Sequence, residues 1–80
     1  MHVDGGLLRR ARIRRALSQA ELAEAAGINR MTVSRLEMGR GEAVQAATLR
    51  KLAGTLDVEP GDLIDWPAEE SRGQVADRSN

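Results

Sequence analysis

The sequence predicts an all-α fold, a compact five-helix bundle forming one small domain. Three observations carry this expectation. Apolar residues recur at the i, i+3, i+4 spacing of helices in successive segments. No stretch of about eight residues alternates apolar and polar positions with β-branched side chains, which argues against a sandwich or barrel. The one aromatic residue, Trp66, leaves the core to aliphatic side chains, which pack along helices without large rings. Eighty residues allow a single domain of this kind.

Residues 18–38, SQAELAEAAGINRMTVSRLEM, organise the chain. Ser18 and Glu21 stand three apart, as a capping box requires, so a helix starts there. Leu17 is placed to pack on Leu22 as a hydrophobic staple. Leu22, Ala23 and Ala26 give this helix one apolar side. Gly27 follows at the position where a left-handed residue ends a helix, and a missing Cβ removes the steric cost. Asn29 is a good N-cap for a further helix over 29–38. In that helix Val33 and Leu36 fall on one side, and Met31, Ser34, Arg35 and Met38 on the other, with Arg30 at the N-terminal rim. A thin buried edge and a broad face carrying two arginines are what a helix-turn-helix requires of the helix that enters the DNA major groove.

Around this centre the other elements follow. Residues 1–6 read as an N-terminal arm and helix cap, His2 lying at a frayed end. Asp4 caps a first helix over 5–16. Leu8, Ala11 and Arg12 share its inner side, Leu7 and Ile13 broaden the buried side, and two glycines weaken the first turn. Glycines mark 39–45 as a loop. Leu49, Leu52, Ala53 and Leu56 form a clean stripe on a helix over 46–56, for which Gln45 is a weak cap; Gly54 allows a close helix contact. Pro60 suits the first position of a short fifth helix within 58–64. Leu63, Ile64 and Trp66 close the core of a 7–66 domain or form a dimer patch, and 67–80 reads as a disordered polar tail.

Formal net charge is zero, yet the charges are segregated. Ten basic and four acidic residues give 7–52 a net +6, whereas two basic and seven acidic residues give 53–80 a net −5. Such a split suits a chain with one end facing a polyanion. No cysteine is present, and the only histidine is His2, so neither a disulfide framework nor a thiolate metal site is expected. No apolar run approaches a membrane span, and no secretory leader is evident, making the cytoplasm the default location. No nucleophile–base pair, metal-ligand cluster or phosphate loop suggests an enzyme, and no cofactor is implied.

The stretch LSQAELAEAAGINRMTVSRLEMG, followed by TLRKLAGTLDV, resembles the phage-repressor-like helix-turn-helix family of the Cro/C1 (Xre) type, with a lambda-repressor-like fold. The resemblance spans about 7–64. It implies a transcription regulator, usually a homodimeric repressor on a palindromic operator in double-stranded DNA. It places Arg30, Met31 and Arg35 at base-contacting positions. It places Gln19, Asn29, Thr32 and Ser34 near the DNA backbone, and matches Arg12 and Glu37 to an internal salt bridge. The loop 39–45 departs from the family in being poor in basic residues, leaving Arg40 as its one backbone contact. Met31 stands where a polar reader is common, so a contact there is apolar, such as to a thymine methyl. An alternative role is a protein-partner module, such as the antitoxin of a toxin–antitoxin pair that also binds DNA, with the acidic tail engaging a basic partner.

Overall fold

The computed structural model describes residues 2–64, apart from the side chains of residues 40–42. The order is β1 (His2–Asp4), α1 (Gly5–Arg14), α2 (Gln19–Ala26), α3 (Arg30–Met38), β2 (Arg40–Ala43), α4 (Ala46–Leu56) and a 3₁₀ turn (Pro60–Leu63). Four α-helices are thus present among the described residues, not five. The expected fifth is a single 3₁₀ turn, because Ile64 leaves helical geometry (φ −104°, ψ 152°) to form a β-bridge with Val3. Trp66 and the expected tail over 67–80 lie outside the described residues.

The helix ends follow local chemistry. Asp4 accepts the Leu7 N–H at 3.0 Å and starts α1. Ser18 and Glu21 complete the reciprocal capping box of α2: the Glu21 N–H donates to Ser18 Oγ at 3.0 Å, and the Ser18 N–H donates to Glu21 Oε1 at 2.8 Å. Hydrogen bonding from the Ser18 backbone first, and its side chain second, holds the Glu21 carboxyl below its usual pKa. Gln45 makes no side-chain cap, and α4 relies on its buried stripe instead.

Three helices close in the same way. Ala16, Gly27 and Asp57 adopt left-handed backbone, with φ of 56°, 71° and 56°. The next N–H in each case reaches back to the last turn: Leu17 to Arg12 O, Ile28 to Ala23 O, and Val58 to Ala53 O. Leu17, Ile28 and Val58 then pack against the core, so each terminus turns the chain inward.

The core comprises Val3, Leu8, Leu22, Ala23, Ala26, Val33, Leu36, Leu49, Leu52, Ala53, Leu56 and Leu63. The α4 stripe is wholly buried, as its spacing requires. Leu7 and Ile13 do not join it and are 36% and 50% exposed. The inner line of α1 is Gly5, Leu8 and Arg12, and the two aliphatics flank that line. Gly54 faces open space and permits no special contact.

The expected arm is a strand instead. β1 runs antiparallel to β2, pairing His2 with Ala43, Val3 with Glu42 and Asp4 with Arg40, with a register shift after Val3. Val3 is fully buried, bridged to Ile64 as well as to β2. Burying one β-branched side chain fixes the strand where exposed residues would fray.

Gly5 has a packing role besides weakening the first turn of α1. A Cβ there would lie 2.5 Å from Glu37 O and 2.6 Å from Leu36 O, both backbone atoms of α3. Gly5→Ala is therefore expected to destabilise the fold by about 2–3 kcal/mol, read from urea denaturation. Ala16→Gly should act in the opposite direction, raising stability by up to about 1 kcal/mol in the same assay, because Ala16 bears a left-handed backbone with a Cβ.

Candidate nucleic-acid interface

α2 and α3 pack on each other across residues 27–29. Gly27 turns the chain, Ile28 anchors it inward, and Asn29 restarts it in extended geometry. Asn29 Oδ1 accepts the Met31 N–H at 2.7 Å, which leaves the Nδ2 group as that side chain's donor.

α3 buries only Val33 and Leu36. Arg30, Met31, Arg35 and Met38 are exposed, while Thr32, Ser34 and Glu37 are partly covered. Met31 and Met38 are 75% and 81% exposed, far more than the other large apolar side chains of the described residues. Arg40 lies in β2, and its side chain falls outside the described residues.

A polar cluster sets the pose of α3. The Glu37 side chain is 2% exposed and receives the Arg12 guanidinium as a two-point pair, through Nε to Oε2 and Nη2 to Oε1 (2.9 Å). The third Arg12 contact is Nη1 to Leu17 O at 2.8 Å. Gln19 Nε2 donates to Glu37 Oε1 at 3.1 Å. One carboxylate thereby joins α1, α2 and α3. Its hydrogen bond raises the Arg12 pKa above the usual value, against the opposing effect of burial and with added charge attraction.

Gln19 and the Arg12–Glu37 pair are thus a single assembly. The resemblance had matched Arg12 to Glu37, which the structure pairs, but nothing in the sequence signalled the contact of Gln19 with Glu37, 18 positions apart. Arg15 is a second tie that sequence reasoning missed. Its Nε donates to Leu56 O at 3.1 Å and its Nη2 pairs with Asp57 at 2.9 Å, at the end of α4. Arg15 and Asp57 are 47% and 86% exposed, so this pair contributes little stability. Asp62 accepts the Glu59 N–H at 3.0 Å, so these acids serve the end of α4 and the 3₁₀ turn, outside the helix pair.

Two short helices joined through a left-handed glycine, with arginines on the outer face of the second, define a helix-turn-helix. The chain belongs to the family of the Cro/C1-type HTH DNA-binding domain, whose model matches residues 8–69. It is 32% identical over 62 residues to the uncharacterised HTH-type transcriptional regulator YozG of Bacillus subtilis, spanning 78% of this chain and 74% of that protein. Among solved structures it is similar to the restriction-modification controller protein C.AhdI of Aeromonas hydrophila (39% identity, TM-score 0.67, 75% of this chain and 89% of that one). It is also similar to the N-terminal DNA-binding domain of the biofilm regulator SinR of Bacillus subtilis (28% identity, TM-score 0.71, 79% and 91%). These relatives are, in turn, a transcriptional regulator, a restriction-modification controller and a DNA-binding domain. No helix among the described residues is long and apolar enough to cross a membrane.

Removing Arg12 leaves a nearly inaccessible carboxylate with the Gln19 amide alone. Arg12→Ala is expected to cost about 3–5 kcal/mol in chemical denaturation. The double variant Arg12→Met, Glu37→Met should cost clearly less than the two single losses combined, since it leaves no stranded charge.

Proposed function

We propose that the protein is a sequence-specific transcription regulator, a repressor that binds a palindromic operator as a homodimer through α3. The observation that carries this reading is the outer face of α3, where Arg30, Met31 and Arg35 are exposed on a helix held rigidly from behind. A guanidinium can donate two parallel hydrogen bonds to guanine O6 and N7 in the major groove, which suits Arg30 and Arg35.

Gln19, Asn29, Thr32, Ser34 and Arg40 are the proposed backbone contacts. Gln19 uses one Nε2 hydrogen on Glu37, and the other suits a phosphate oxygen. Phosphate contacts would supply much of the affinity and the register, and α3 the choice of sequence. In a homodimer the two α3 helices would lie about 34 Å apart, one turn of the duplex.

Selection of bound sequences from random duplexes tests the reading directly. It should return inverted half-sites about 10 base pairs apart, centre to centre. Arg35→Ala and Arg30→Ala should each lower affinity for the selected operator by about 1–3 kcal/mol while leaving random-duplex binding nearly unchanged. Equal losses on operator and random DNA would remove the base-reading role.

A further inference from the structure

We propose that Met31 recognises the 5-methyl group of a pyrimidine, so that operator binding depends on a C5 methyl at one defined base of each half-site. The inference rests on the reading of α3 as the helix that enters the groove. Met31 is an apolar side chain left 75% exposed, although the chain has a well-formed core to receive it. Its backbone is pinned in the first turn of α3 by the Asn29 cap at 2.7 Å. It follows the exposed Arg30 and stands about one turn before the exposed Arg35.

Among the base edges of the major groove, the apolar feature is the methyl on C5 of thymine; the rest are hydrogen-bond donors and acceptors. A thioether chain is flexible and polarisable enough to close on such a methyl. Cytosine methylated at C5 presents the same group in the same place, whereas unmethylated cytosine does not. The ligand chemistry is therefore a 5-methylpyrimidine, from either source. Met38 is exposed to a similar degree but lies in the last turn of α3, about 10 Å further along the axis. Base edges are reached mainly from the N-terminal part of a recognition helix, and Met38 is the last residue of α3, so it serves as the control.

The test uses the tightest duplex from the selection, measured by fluorescence anisotropy at one salt concentration. Each thymine is replaced singly by deoxyuridine, which removes only the methyl, and cytosine or 5-methylcytosine is placed at the responsive position. Wild-type protein should lose about fourfold in affinity at one thymine per half-site, the factor expected for one buried methyl. Met31→Ala should bind the thymine and deoxyuridine duplexes alike, and Met38→Ala should keep the wild-type ratio. Tighter binding of 5-methylcytosine than of cytosine assigns the methyl as the whole signal, and a gain with thymine alone assigns thymine as its source. The inference is overturned if wild type ignores every single deoxyuridine replacement, or if Met31→Ala keeps the discrimination. Either result leaves α3 as a DNA-binding helix. Failure to bind any duplex at low salt would remove both readings. Unchanged thermal melting of Met31→Ala separates a lost contact from a lost fold.

Discussion

The Glu37 carboxylate is the constraint on which the rest of the structure depends. Taken almost entirely out of water, it must be matched by donors, and the donors come from two other helices. Arg12 answers it with two guanidinium hydrogens, then spends another on Leu17 O, which fixes the link between α1 and α2. Gln19 answers it from the first turn of α2. A hydrocarbon core tolerates small slides of one helix on another, because its forces are non-directional. A two-point pair with a third amide does not, so α3 is set in angle as well as depth.

The same helix is constrained at both of its ends. Asn29 secures the start, and Gly5 lets the backbone of α1 lie against the Leu36 and Glu37 carbonyls near the finish. Its inner edge needs only Val33 and Leu36 for anchorage. Arg30, Met31, Arg35 and Met38 stay exposed on its outer side, which is how so short a helix can be both held in place and exposed.

Much of this was legible in the residues. Ser18 with Glu21, Gly27 and Asn29 each have one strongly preferred local use, and all three uses are realised. The α4 stripe is unambiguous because four apolar side chains repeat without interruption. The exposure of Arg30, Met31 and Arg35 followed from the same spacing argument. What stayed hidden depends on tertiary context. Ala16 and Asp57 hold left-handed turns without glycine, stabilised by the inward packing of the residues that follow them. β1 is too short to show a period, and β2, with the sequence RGEA, is poor in strand-forming residues. Ile64, a β-branched residue, takes extended backbone and pairs with Val3, a partner too distant in the chain for the short run 58–64 to reveal. The joining of Gln19 to Glu37 is a distance in space that no spacing encodes.

The pairing of Val3 with both β2 and Ile64 has a further consequence, for the order of events at the ribosome. β1 precedes both of its partners in the chain: β2 follows three helices, and Ile64 follows a fourth. Until Ile64 is made, Val3 can pair with β2 alone. The pairing of Val3 is therefore complete only once Ile64 has been made, a loop closure that spans all four helices.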